Sequence, residues 1–253
     1  MKRILTFVYG VTSYALFFLT FLYMIGFLGN FAVPKTIDNG TETSLPLALM
    51  VNVSLVLLFG LQHSVMARPG FKRMWTRIVP LAAERSTYVL MSSLALILLM
   101  WQWRPMTSTV WSIESVMGQS VMYALFGMGW LAVLITTFLI NHFDLFGLRQ
   151  VTLYLMGRDY TSLGFVTPGP YKHIRHPLYV GWLMAFWATP TMTVGHFLFA
   201  GLQLAYILVA IRYEERDLVE FHGEDYANYR EKTPMFIPKV GREMSPEPQT
   251  EVV

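Results

Sequence analysis

Apolar residues fall along this chain in long runs, and the polar positions gather between them. Runs at residues 4–28, 45–66, 88–103 and 121–140 are each long enough to cross, or nearly cross, a bilayer as a helix, since about 20 apolar residues span a hydrocarbon core of roughly 30 Å. Four spans are predicted there. A fifth apolar region, residues 178–211, is interrupted by ATPTMTVGH, where Pro190, Gly195 and three threonines signal a break. Two short helices folded as a hairpin are expected. The expected fold class is therefore an all-α integral membrane protein with four transmembrane helices plus a C-terminal helical hairpin, five to six membrane segments, and a short cytoplasmic C-terminal region. The first run follows Lys2 and Arg3 as a signal peptide would. It is too long for a signal core and lacks a small-residue cleavage site, so it reads as a retained span.

Composition strengthens this reading. The chain of 253 residues is 54% hydrophobic and 14% charged, with a mean hydropathy of +0.44, whereas soluble domains carry roughly a quarter charged residues. Cysteine is absent, which excludes disulfides, thiolate metal sites and cysteine nucleophiles. The formal net charge of +3 sits in particular loops and forms no patch suited to nucleic acid. Arg68, Lys72, Arg73, Arg77 and Arg85 follow the second span, and Arg149, Arg158, Lys172 and Arg175 follow the fourth. The loops at residues 35–43 and 104–118 carry one basic residue each. The bias of Lys and Arg toward the inner side then puts both termini in the cytoplasm. The polar, proline-bearing tail at residues 239–253 is expected to be disordered.

Chemistry concentrates in YKHIRHPLYVGW, residues 171–182, at the mouth of the hairpin. Pro168, Gly169 and Pro170 enforce a turn, and Pro177 suits the first turn of a helix. Tyr171, His173, Arg175 and His176 are thereby held near a helix start, whose free N–H groups favour a carboxylate. Lys172 and Arg175 equally fit markers of the inner side, with His176 as a helix cap. The spacing of His173 and His176 also suits a metal, but no third ligand lies nearby, and none is expected. A second cluster, RYEERDLVEFHGEDYANYREKTPMFIP, closes the hairpin. A hairpin brings its ends together, so Glu214 and Glu215 should approach Arg175 and His176, and Tyr226 and Tyr229 can fold back over them after Gly223. Solvated interfacial charge and interfacial tyrosines are the plainer alternatives.

The ordered pattern GPYKHIRHPLYVGW, then EERDL, then GEDYANYREKTPMFIP, resembles the cofactor half of the isoprenylcysteine carboxyl methyltransferase and phospholipid N-methyltransferase superfamily over residues 165–238. The resemblance implies an S-adenosylmethionine site carried by Arg175, His176, Tyr179, Gly181, Glu214 and Glu215. The aromatic faces of Tyr171 or Tyr179 would stabilise the sulfonium.

Two further polar groups lie beside spans: Gln62 and His63 in FGLQHSVMAR, and Asn141, His142, Asp144, Arg149 and Gln150 in LINHFDLFGLRQV. Each also fits helix capping or packing. Asn141 and Asp144 share a helix face, while His142 faces elsewhere unless the helix breaks, as Gly147 would allow. With QHSVMARPGFKRMW, ERSTYVL, Trp103 and NHFDLFGLRQV, the amino-terminal half is similar to the bacterial methanethiol S-methyltransferase family, a branch related to NnrU-type proteins. That resemblance implies an inner-membrane enzyme acting on a small thiol, giving dimethyl sulfide. Residues 1–160 would form the acceptor side and residues 161–238 the cofactor side. In-line attack needs a thiolate, so a base is required. A histidine backed by a carboxylate is suited to this task, which makes His142 with Asp144 the candidate pair and His63 the reserve. Asn141, Arg149 and Gln150 are the candidate substrate-binding residues. A larger isoprenoid or lipid acceptor, and a non-catalytic NnrU-like membrane protein, are the rival readings.

Overall fold

The computed structural model describes residues 1–238; the tail expected to be disordered lies outside them. The helices are α1 (Lys2–Gly29), α2 (Leu45–Ala67), α3 (Pro69–Trp75), α4 (Leu81–Gln102), α5 (Val116–Ile140), α6 (His142–Leu145), α7 (Leu148–Leu155), α8 (Pro177–Trp187), α9 (Val194–His222) and α10 (Glu224–Lys232). Of these, α1, α2, α4, α5 and α9 are long and apolar enough to cross a membrane, and α8 is a shorter apolar helix of 11 residues. The protein is an integral membrane protein.

The break in the last apolar region is where its threonines, proline and glycine put it, but the hairpin is lopsided. α9 runs for 29 residues rather than forming a short second arm. Its start is fixed by Thr193, whose Oγ1 accepts a hydrogen bond from the His196 amide at 3.1 Å. No glycine or proline after Gly201 interrupts the helix before Gly223, so it continues through RYEERDLVEFH beyond the apolar stretch. The all-α expectation is amended by one small antiparallel pair, β1 (Thr109–Ser112) with β2 (Thr191–Thr193), in which Trp111 faces Met192. It ties the α4–α5 connection to the α8–α9 turn. α4 also starts earlier than its apolar run, because Glu84, Arg85, Ser86 and Thr87 are helical although polar.

Met24, Phe27, Leu55, Leu99, Trp103, Phe126, Trp130, Phe186 and Phe199 share one core. Residues from both halves of the chain therefore pack together. Many large apolar side chains remain exposed, among them Leu5, Leu19, Met50, Leu61 and Leu131. Lipid is the solvent that makes such a surface stable, provided the backbone is hydrogen-bonded within helices.

α5 and α8 cross in close contact through two glycines. A methyl group on Gly129 would lie 2.6 Å from the Ala185 amide nitrogen, and one on Gly181 would lie 2.9 Å from that of Val133. Small residues at a crossing let membrane helices approach backbone to backbone. The two ends of the bundle differ in charge. One end carries Arg3 over the Tyr154 ring, the Arg68–Asp217 ion pair at 2.8 Å and Arg85 donating to the Leu145 carbonyl. At the other, Asp38 accepts from Thr193 Oγ1 and Asn30 Nδ2 beside the strand pair.

Candidate active site

The turn formed by Gly169, with φ of +53°, and its flanking prolines delivers residues 171–176 to the start of α8. Pro177 takes the first helical position, so Arg175 and His176 stand immediately before it. The end of α9 arrives alongside. Arg175 Nε and His176 Nε2 both meet Glu215 Oε1, at 2.7 and 2.9 Å, while Tyr179 donates to Glu214 Oε2 at 2.7 Å. The hairpin thus unites the two expected clusters. The two glutamates do not act as a pair: Glu215 holds Arg175 and His176, and Glu214 turns to the tyrosine.

The segment from α10 onward closes over this centre. Arg175 Nη1 donates to the carbonyls of Arg230 and Thr233, and the amides of Arg175 and His176 donate to those of Pro234 and Met235 at 2.9 and 3.2 Å. Tyr229 donates its hydroxyl to the Tyr171 carbonyl at 2.5 Å, and Phe165 packs against both Tyr226 and Tyr229. Burial, opposed by Arg175, pushes the Tyr229 phenol up to about 12. Burial and then Glu214 raise that of Tyr171. Both are neutral hydroxyls at physiological pH. His173 is exposed, and among the described residues no three His, Cys, Asp or Glu side chains gather as a metal site would require.

Gly181 stands apart from this constellation. The nearest atoms to a side chain there belong to Val133 and Gly129. Its lack of a side chain serves the α5–α8 crossing, and its expected place among groups touching a cofactor rests on the family resemblance.

The segment after α5 is also rearranged relative to expectation. The helix does break, but at Asn141, held at φ +128° and ψ +82°, with its Oδ1 accepting from the Asp144 amide at 3.1 Å. This kink separates the expected base from its carboxylate. His142 is buried, with Nε2 hydrogen-bonded to Tyr14 at 2.8 Å and Nδ1 to Thr137 at 2.9 Å, and its ring stacks on Phe138. Burial lowers its pKa. Asp144 instead accepts from Arg149 at 2.9 Å and Tyr160 at 3.2 Å. Arg149 also donates to Thr161, and Gln150 to the Asp144 carbonyl. Asn141, Asp144, Arg149 and Gln150 therefore build a connected knot in which the first four-residue turn after the span is fixed.

His63, the reserve base, has richer surroundings. Its Nε2 is 2.7 Å from the Tyr88 hydroxyl and its Nδ1 3.2 Å from Ser92 Oγ. Gln62 donates to the same Ser92 oxygen at 3.4 Å, and the Tyr206 hydroxyl pairs with Ser64 at 3.2 Å. Tyr206 lies on α9 about two turns before Glu214. This niche between α2, α4 and α9 therefore runs along the helix that ends in the hairpin centre. Tyr88, Ser92 and Tyr206 escaped sequence reasoning. Tyr88 and Ser92 stand one helical turn apart on α4, and that spacing was the available signal. On the α1 side the niche is walled by Phe17 stacked on Phe146 at 3.9 Å, packed against Met66, Tyr88 and Val89.

Fold and centre together define a polytopic, nearly all-helical membrane protein whose buried ionic group is closed by its own C-terminal segment. A profile of the isoprenylcysteine carboxyl methyltransferase (ICMT) family matches residues 147–220, from α7 almost to the end of α9. The chain is 54% identical over 242 residues to the methanethiol S-methyltransferase of Crocosphaera subtropica, covering 96% of this chain and 95% of that one. It is 50% identical over 238 residues to the methanethiol S-methyltransferase of Mycobacterium tuberculosis, covering 94% and 98%. Nurim of Mus musculus is 28% identical over 186 residues, 70% of each chain. No solved structure matches. The chain belongs to the methanethiol S-methyltransferase family, the one its motifs pointed to.

Proposed function

We propose that this protein transfers the methyl group of S-adenosylmethionine to methanethiol, giving dimethyl sulfide. The observation that carries the reading is the buried Arg175–Glu215–His176 group beside the Glu214–Tyr179 pair, at the start of α8 and next to the polar niche of His63 and Tyr88. The donor set fits a zwitterionic cation. Arg175 and His176 would hold its carboxylate, Glu214 and Glu215 its ammonium and ribose hydroxyls, and the rings of Tyr171 and Tyr179 its sulfonium. When bound, that group supplies an electrophilic methyl carbon. The protein's own part is to orient, to exclude water and to take up a proton. Thiolate attack on a sulfonium removes charge, so a dry, weakly polar enclosure favours it. The Phe17–Phe146 wall against Tyr88 supports a small acceptor over an isoprenoid or lipid one.

In this reading α1 to α7 supply the acceptor side, and residues 161–238 supply the cofactor side. The concentration of Lys and Arg at one end of the bundle supports an inner-membrane orientation with both termini cytoplasmic. The test is purified protein in detergent given S-adenosylmethionine and methanethiol, with the headspace analysed for dimethyl sulfide and cofactor affinity read by calorimetry. Dimethyl sulfide formation, with affinity lost in Arg175→Ala and Glu214→Ala, is expected. Folded protein that binds no S-adenosylmethionine, or binds it and methylates only larger acceptors, overturns the proposal.

A further inference from the structure

We infer that Tyr88 is the group that receives the acceptor thiol's proton, relaying its own phenolic proton to His63. The inference rests on the methyl-transfer reading and assigns the base within it.

Position is the first argument. Tyr88 and His63 share a niche whose α9 wall is Tyr206, about two turns before Glu214 on the same helix. A thiol seated along that wall toward Glu214 and Tyr179 comes within reach of the Tyr88 hydroxyl. Connectivity is the second. The hydroxyl and His63 Nε2 are 2.7 Å apart, and His63 Nδ1 is 3.2 Å from Ser92 Oγ, which accepts if Nδ1 carries the proton. The hydroxyl is also 3.1 Å from Nδ1, within reach of both ring nitrogens; in that tautomer Nε2 is the unprotonated nitrogen and the nearer of the two, and a phenol that gives up its proton can take another. Third, the Arg85 guanidinium lies 5.2 Å from the centre of the Tyr88 ring, and a positive charge that near favours a phenol giving up its proton.

The step balances. The thiol proton moves to the Tyr88 oxygen as the phenolic proton moves to His63 Nε2. The sulfur lone pair forms the new carbon–sulfur bond, and the sulfonium carbon–sulfur bond breaks with its electron pair going to the departing sulfur. A thioether, a neutral second thioether and an imidazolium result, and the imidazolium returns its proton to solvent. The groups facing Tyr88 and His63 that bear on its pH dependence are Arg68 from the end of α2, Arg85 on α4, and Tyr206 and Glu214 on α9.

Tyr88→Phe and His63→Gln should be compared with the parent protein over a range of pH, reading kcat and KM for methanethiol and S-adenosylmethionine affinity by calorimetry. Tyr88→Phe is expected to lower kcat by about 10²–10⁴ near neutrality, the usual contribution of a positioned base, with cofactor affinity kept. The deficit should shrink as rising pH supplies thiolate unaided. His63→Gln should lower kcat with the same trend. An unchanged kcat, or a loss equal at every pH, overturns the inference. If Tyr88→Phe fails to fold, 3-fluorotyrosine at position 88 replaces it: the analogue has nearly the same size and a more acidic phenol, so the pH profile of kcat must move, and a fixed profile overturns the inference. Parent protein that binds cofactor and forms no dimethyl sulfide overturns the methyl-transfer reading instead.

Discussion

Adding one methyl group to Gly129 would separate two roles for Gly181. In Gly129→Ala the new carbon meets the Ala185 nitrogen at 2.6 Å, the Gly181 carbonyl oxygen at 2.9 Å and Ala185 Cα at 3.0 Å. All three are backbone atoms, so no side chain can swing away and α8 must move as a body. Relaxed contacts lie near 3.5 Å, which puts the displacement at about 1 Å, and a gap of that size forfeits a quarter to a half of the dispersion energy of each contact. Overpacking of this kind costs about 1–3 kcal/mol, equivalent to a fall in Tm of roughly 2–12 °C for a chain of this size. Gly181→Ala meets Val133 N at 2.9 Å, Gly129 O at 3.0 Å and Val133 Cγ2 at 3.0 Å, so it requires a displacement of only about 0.5 Å and a smaller cost. The assay is thermal unfolding in detergent together with calorimetric S-adenosylmethionine binding. Packing requires Gly129→Ala to be the worse variant in both. Were Gly181→Ala to abolish binding at unchanged Tm while Gly129→Ala bound normally, the packing argument would be refuted and Gly181 would belong to the cofactor's surface.

Glu215→Gln leaves the buried His176 and the partly buried Arg175 without their shared anion; a loss at or below the roughly 3–5 kcal/mol of a fully buried pair is expected, and a Tm within a degree of the parent would contradict it. Burial holds the folded-state pKa of His142 below its ordinary 6.5, so the folded protein binds fewer protons there than the unfolded chain. The corresponding stability is complete above pH 6.5 and is lost as pH falls from 6.5 through the lowered value. Thermal scans should show that slope in the parent and a flatter one in His142→Asn; equal slopes would remove His142 as its source. Phe17→Ala and Phe146→Ala open the wall beside Tyr88 and should raise kcat/KM for ethanethiol relative to methanethiol by about 10- to 200-fold, the roughly 1–3 kcal/mol that one methylene carries in an apolar pocket. An unchanged ratio would place the acceptor elsewhere.

The spans were legible because lipid demands long apolar helices, and the loop charges were legible because Lys and Arg cluster at one end of the bundle. The meeting of Arg175 and His176 with Glu215 was legible for a topological reason: a hairpin joins its own ends. The length of α9 was not, since its final turns are charged and only the missing breaker before Gly223 argues for helix. The strand pair rests on two short threonine-bearing segments far apart in sequence, which carry no periodicity of their own. The parting of His142 from Asp144 depends on a left-handed φ at Asn141, a residue that tolerates it but does not require it. Tyr88 in an apolar helix reads as an interfacial anchor until His63 is brought to it from α2.

The closing segment also fixes when in the life of the chain the ionic centre comes into being. A growing polypeptide leaves the ribosome amino terminus first, and the carbonyls of Arg230, Thr233, Pro234 and Met235 that bind Arg175 and His176 follow all five long helices. Until those residues are made, the guanidinium of Arg175 lacks these main-chain acceptors. A chain ended before Arg230 carries all five long helices without the finished centre.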